Sequence, residues 1–409
     1  MKTKNIKEEV SKIRGKKVFL RVDFNVPVEG SKIKDEQKII AALPTIRFLL
    51  RYDCPIIIAT HLGRPGGKRV KKYSTEILSK RLGKLLGEKS RSKTNLKKYR
   101  NVKFINNCIG KKVKKAAEEL EPREILFLEN LRFHPEEKKN NKKFSKELAS
   151  LADIYINNAF SVCHREHASV VGIKRYLPGF AGILLEKEID SLNKIKNPKH
   201  PLITVMGGVK VSTKVKFIKS LAQRSEKMLL GGALANNFLA AKGFDVGNSL
   251  VDKESIDLAK KLLNSFSNKI ILPVDAVVAK DQDKDQGKLK HIKDIGKEDK
   301  ILDIGPETIR LYSSYIKKAE TIIWNGPMGL CENKQFEKGS LAIGRVIASR
   351  STGKAFGVAG GGETVEVLKR THMMEHMDWV STGGGAMLSY LSGEKMPGLK
   401  KITTKKRYL

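Results

Sequence analysis

A chain of 409 residues is too long for one ordinary core and fits two domains of roughly 150 to 200 residues each. Hydrophobic residues make up 40% and charged residues 30%, with no apolar run near the roughly 20 residues that cross a bilayer, which excludes a membrane-spanning class. The four cysteines, Cys54, Cys108, Cys163 and Cys331, are scattered without a CxxC pair, against a disulfide framework or a zinc cage. A surplus of 80 Lys and Arg over 44 Asp and Glu gives +36, a field that draws nucleic acid, lipid headgroups and small phosphorylated substrates alike. Its lysines, such as Lys111, Lys112, Lys114, Lys115, Lys138, Lys139, Lys142 and Lys143, have few aromatics among them to stack on bases. They read as a solvated surface.

The opening stretch MKTKNIKEEVSKIRGKK lacks the apolar core of a secretory signal, so the expected location is the cytoplasm. Short β-branched runs follow at 17–22, 55–60, 124–129 and 153–158, each predicting a buried strand. Between them, 79–89 and 111–120 space apolar residues three and four apart, as amphipathic helices do. Strand and helix in alternation predict a parallel sheet. A helical period over 181–200, rich in charge and closed by Pro198 and Pro201, predicts a connecting helix. The alternation restarts at PLITVMGG (201–208) and runs on through KMLLGG, KIILPV, TIIWNG and KAFGVAGGG, predicting a second α/β unit. The lysine-rich stretch 281–300 reads as a surface excursion.

Several strands end in polar clusters, which is where open α/β sheets place ligands. In the first half RVDFNVP (21–27), THLGRP (60–65), LENLRF (128–133) and NAFSVCHREHAS (158–169) bring Asn25, His61, Arg64, Arg132 and Arg165 to such ends. Guanidinium forks match the paired oxygens of a phosphate or carboxylate, so together these residues suit a compact anion. The second half carries glycines instead, in MGGVKVSTK, LGGALANNF, WNGPMG, AGGGET and STGGGA. Glycine admits phosphate oxygens to backbone N–H groups at a helix start, so this half should hold a nucleotide. Neither GxxxxGK[ST] nor GxGxxG is present. His372, Glu375 and His376 spell HxxEH, a zinc spacing, but Met373, Met374 and Met377 beside them suit an ordinary packed helix.

Taken in order, RVDFNVP, ALPTI, HLGRP, LENLRFHPEE, HREHAS, EKEI, GGVKVSTK, GGALANNF, WNGPMG, AGGGET and STGGGA span nearly the whole chain and resemble the phosphoglycerate kinase family. The resemblance implies an α/β fold of two doubly wound parallel-sheet domains facing across a cleft and closing by a hinge. A 3-phosphoglycerate domain would cover 1–180, with a C-terminal tail 400–409 returning to it. The connecting helix would cover 181–200, and a nucleotide domain 201–399. Asp23, Phe24, Asn25, Lys38, His61, Leu62, Gly63, Arg64, Arg132 and Arg165 would bind 3-phosphoglycerate. Lys210, Lys214, Glu332, Gly361, Gly362, Glu363 and Thr364 would bind ATP or ADP. Lys38, Lys210 and Lys214 would act in catalysis, and Glu363 would serve Mg2+. A monomer without a membrane or nucleic-acid partner is implied.

Two departures from the family pattern bear on rate. Lys38 stands where an arginine is expected, and GGGET replaces the usual GGGD[ST], lengthening the carboxylate arm at Glu363; Asn157-Asn158 also stands where Asn-Asp is common. The alternative reading is an impaired relative of such kinases that binds anions or nucleic acid through its charge.

Overall fold

Four β-branched runs, Val18–Val22, Ile56–Ala59, Glu124–Leu128 and Ile154–Asn158, are buried along their whole length. That pattern belongs to strands covered on both faces. The pleat sends alternate side chains to opposite sides of the sheet. Val18, Leu20, Ile56, Ile58, Ile125 and Phe127 pack on one side against Ile39, Leu43 and Ile46 of helix Gln37–Arg51 and Leu78 and Leu82 of helix Glu76–Glu88. Phe19, Ile57, Leu126 and Tyr155 pack on the other against Val113 and Ala117 of helix Lys111–Glu118 and Phe144 and Leu148 of helix Lys142–Ala149. The result is a doubly wound, six-stranded parallel sheet. Its order is Asn101–Ile105, Glu124–Leu128, Ile56–Ala59, Val18–Val22, Ile154–Asn158, Gly179–Ala181.

The computed structural model describes residues 2–88, 101–209, 211–212 and 214–404. The chain divides into two compact units, one of residues 1–190 and 395–409 and the other of residues 191–394, the boundary falling within helix Ile183–Lys196. Among the described residues no helix is long and apolar enough to cross a membrane.

The second unit repeats the architecture. Its parallel sheet runs Ile270–Ile271, Lys227–Leu230, Leu202–Met206, Thr321–Asn325, Phe356–Gly360, Trp379–Ser381. Beside it lies a three-stranded antiparallel sheet with Asp275–Ala279 between Lys288–His291 and Lys300–Ile304. The stretch 281–300 is therefore not a mere excursion. Lys284, Lys288, Lys293 and Lys297 are exposed, but strand Lys288–His291 pairs along one edge of that sheet. The HxxEH segment also differs from expectation: helix Gly362–Arg370 ends before it, His372 takes a φ of 55°, and only a 3-10 turn, Met374–His376, follows. A helix that has ended cannot set two histidines one turn apart, and the described residues contain no cluster of His, Cys, Asp or Glu fit for a metal.

Residues near the C-terminus complete the first unit. Lys2–Thr3 pairs antiparallel with Thr403–Thr404. Buried Lys174 donates from Nζ to the carbonyls of Pro397, Gly398 and Lys400 at 3.1, 2.7 and 2.7 Å. Burial lowers its ammonium to about 8.

In the second unit, helix Pro306–Ile316 begins after Gly305, which has no side chain to cap it. Asp275 does so from the neighbouring strand: its carboxylate accepts the Glu307 and Thr308 N–H groups and the Thr308 hydroxyl, at 2.9, 2.7 and 2.7 Å. Asp275→Ala should cost about 2 to 3 kcal/mol, since it leaves buried donors without acceptors. Both tryptophans, Trp324 and Trp379, lie in this unit, so fluorescence-detected denaturant unfolding reads the loss directly. An unchanged midpoint would show that the cap carries no weight.

Candidate active site

In the first unit the carboxyl ends of adjacent parallel strands deliver the predicted side chains to one edge. Asp23 follows Val18–Val22, His61 follows Ile56–Ala59, Arg132 follows Glu124–Leu128, and the loop with Arg165 follows Ile154–Asn158. Asp23 accepts from Lys38 Nζ at 2.7 Å and from the Ser161 hydroxyl at 2.5 Å, both on Oδ2. Burial alone would raise its carboxyl, but the Lys38 charge and these hydrogen bonds outweigh it and hold the group well below the usual carboxylate range.

Asn25 takes the Gly63 N–H on Oδ1 at 2.8 Å, and Arg132 donates to the Gly63 carbonyl at 2.7 Å, so both fix the loop after Ile56–Ala59. Arg132 is 5% exposed with its Nε buried and unpartnered. Burial first, and then the like charges of Arg165 and Arg21, draw its guanidinium down to about 10. Arg64 is exposed, and exposed Arg165 donates to His164 Nε2 at 3.1 Å. Cations crowded beside one paired carboxylate leave surplus positive charge, which an anion of the right size relieves.

Beneath this edge lies a residue the sequence reading passed over. The pleat turns Arg21 inward, where it is 1% exposed. It donates to Ser169 Oγ at 3.0 Å, to His61 Nδ1 at 3.1 Å and to the Val22 carbonyl. Ser169 in turn gives its N–H and hydroxyl to the buried carboxylate of Glu137, at 2.9 and 2.6 Å. The signal was legible: an arginine at an inward position of KVFLRV needs a buried partner. The side chains of Phe24 and Leu62 belong to the apolar core, so the contact with 3-phosphoglycerate expected of these two residues would fall to their backbone.

In the second unit, loops after the strands enclose a cavity of about 510 Å³ whose walls include Gly208, Gly232, Asn236, Met328, Glu332 and Glu363. That volume lies within the range of small-ligand sites. Gly207 has to be glycine: a Cβ there would stand 1.7 Å from the Pro327 carbonyl oxygen. Lys214 donates from Nζ to the Gly207 carbonyl at 2.7 Å, and burial lowers its ammonium to about 8 against the opposing pull of Glu363. Gly361, at φ 105°, precedes the start of helix Gly362–Arg370, leaving first-turn N–H groups open. Thr364 is buried, and its hydroxyl accepts the Gly326 N–H at 2.7 Å, so it ties the two loops together. Lys210 lies outside the described residues.

The family profile for phosphoglycerate kinase matches residues 8–394. A phosphoglycerate kinase of Pelotomaculum thermopropionicum is 40% identical over 398 residues, covering 96% of this chain and 98% of that protein. One from Moorella thermoacetica is 40% identical over 398 residues, with coverage of 96% and 98%. Among solved structures, phosphoglycerate kinase from Coxiella burnetii aligns at TM-score 0.82 and 33% identity over 95% of this chain and 96% of that one. That from Pyrococcus horikoshii aligns at 0.84 and 32%, over 96% and 97%.

The Lys38–Asp23 pair makes a stability prediction. Asp23 is held below its ordinary value, so the pair stabilises the fold above pH 4, and that contribution fades as pH falls through the depressed carboxyl value. Lys38→Ala should cost about 2 kcal/mol at neutral pH, less than a fully buried pair because Lys38 is 31% exposed. It should also flatten the loss of stability below pH 4. Urea midpoints from pH 2.5 to 7 test this, and parallel curves for parent and variant would refute it.

Proposed function

The chain belongs to the phosphoglycerate kinase family, and from that membership we propose how its residues divide the work. The enzyme transfers a phosphoryl group reversibly between 1,3-bisphosphoglycerate with ADP and 3-phosphoglycerate with ATP, a kinase step of glycolysis. In our reading the first unit takes 3-phosphoglycerate. The observation that carries it is Arg132, buried with its Nε unpartnered beside Arg165 and Arg21 at the strand ends, a donor set suited to an anion. Arg64, Arg132 and Arg165 would hold the phosphate and carboxylate, and Asp23 and Asn25 the hydroxyl side. Gly63 would shape the loop, and His61 would donate a neutral hydrogen bond.

The second unit takes the nucleotide. Glu332 at the cavity wall would hold the ribose, while Gly361 and Gly362 would offer backbone N–H groups to phosphates at a helix start. Lys214, and Lys210 on the strength of its motif, would meet the phosphoryl group in transit. The acceptor is a carboxylate, already ionised at neutral pH, so the forward attack on the γ-phosphorus needs no general base. Positioning and charge neutralisation supply the catalysis. Glu363 stands in the cavity wall, and a lone carboxylate suits Mg2+, which takes one or two protein carboxylates and fills its shell from phosphates and water. Bound there, the ion would neutralise nucleotide charge. Each half-site is built within one unit from this chain alone, which supports a working monomer, and we place it in the cytoplasm.

Arg64→Ala should raise the Kd for 3-phosphoglycerate by about tenfold or more and leave that for ADP nearly unchanged, while Glu332→Ala should do the reverse. Calorimetric titration of each variant with each ligand reads this, and equal loss of both ligands in either variant would sink the division of labour. Lys38 keeps the charge of the expected arginine without its fork. Lys38→Ala should therefore lower kcat by about a hundred- to a thousandfold, and Lys38→Arg should retain or raise it. A coupled assay run in both directions decides, and parental turnover in Lys38→Ala would remove Lys38 from the mechanism.

A further inference from the structure

The geometry points to Arg21 as a positioning residue that fixes the ring proton of His61 on Nε2, leaving an N–H there for the substrate. Arginine has donors and no acceptor, so the imidazole nitrogen it meets must be bare. At 3.1 Å from the Arg21 guanidinium, Nδ1 is that nitrogen. The Asp23 carboxylate, 3.9 Å from Nδ1, is too far to claim a proton from it by hydrogen bonding. The remaining ring nitrogen, Nε2, makes no hydrogen bond among the described residues.

Arg21 cannot swing away to relax this arrangement. Its Nε is held by Ser169, whose hydroxyl and N–H are both spent on Glu137, and a third guanidinium bond goes to the Val22 carbonyl. The groups facing His61 are Asp23, Arg21, Arg132 and Lys38. Burial, reinforced by the three cations, keeps the imidazole well below its ordinary value against the pull of Asp23. The ring therefore stays neutral through the physiological range. A neutral ring of undetermined tautomer would present a lone pair to an anionic substrate for part of the time; Arg21 removes that state. A buried chain running Glu137, Ser169, Arg21, His61 thus converts a charge under the sheet edge into a donor at it. The inference rests on the assignment of His61 to 3-phosphoglycerate.

The test uses 15N-histidine-labelled protein, in which long-range nitrogen–proton correlations separate a protonated ring nitrogen from a bare one. The signals of His61 are identified by their absence in His61→Gln. In the parent, Nδ1 should be bare and Nε2 protonated, unchanged from pH 6 to 8. Arg21→Met should show both tautomers. Its KM for 3-phosphoglycerate should rise about tenfold, with a smaller change in kcat. Arg21→Lys, which keeps a donor and a charge, should restore the tautomer and most of the KM. Should Arg21→Met fail to fold, Arg21→Met with Glu137→Gln removes the stranded carboxylate and serves in its place. A proton on Nδ1 in the parent, or an unaltered tautomer without Arg21, overturns the inference. If instead His61→Ala leaves KM untouched, the placing of His61 at the substrate falls, while the spectra still decide what Arg21 does.

Discussion

Every strand of the two six-stranded sheets runs parallel to its neighbours, so each delivers its carboxyl end to the same edge. The chemistry of both units follows from that constraint. A parallel sheet buried on both faces leaves only its edges for function, and at the carboxyl edge the loops begin from fixed, closely spaced positions. In the first unit those loops carry charge at Asp23, Arg132 and Arg165 and a neutral imidazole at His61. In the second they carry glycine, at Gly208, Gly232 and Gly329, which share the cavity wall with side chains such as Glu332 and Glu363. On the function proposed above, one scaffold yields two kinds of anion site, one built from guanidinium forks and one that draws on backbone N–H groups at a helix start.

The first unit's site is held in a state that protein chemistry alone disfavours. Arg132, Arg165, Arg21 and Lys38 share a small region with one largely buried carboxylate at the sheet edge, Asp23, and with Glu137 beneath it. Burial raises the Glu137 carboxyl, while the Arg21 guanidinium and the two Ser169 donors act in the opposite sense. The fold tolerates the excess because the surrounding core is extensive and because buried donors have fixed acceptors in Gly63, Val22 and Ser169. Such preorganisation trades stability for function, which is the common condition of active sites.

Most of this was legible in the residues. Continuous β-branched runs marked the central strands, because only a strand covered on both faces has no polar side to show. Parallel order followed from the helices between them. What escaped was decided by tertiary context. Asn101–Ile105 is partly exposed and mixed in composition, so its own pattern did not declare it a strand. Strand Lys288–His291 has three exposed positions, Lys288, Leu289 and His291, and is a strand only because Asp275–Ala279 offers it a partner. KIILPV gave just two strand residues, Ile270–Ile271, since Pro273 cannot donate to a ladder. At the site, the motif arginines were visible in sequence, whereas the Arg21 to Glu137 connection joins residues far apart in the chain and needed the sheet to bring them together.

The segment that closes the first unit comes last in the chain. Residues 395–404 lie with residues 1–190, clasped by Lys174 and paired with Lys2–Thr3, so the second unit is an insertion within the first. On a ribosome, the inserted unit has all its strands before the outer one has its final segment. Lys174 stays without its carbonyl acceptors until residues 397–400 have been synthesised. The outer unit, although its sheet is encoded first, is therefore the one that matures second.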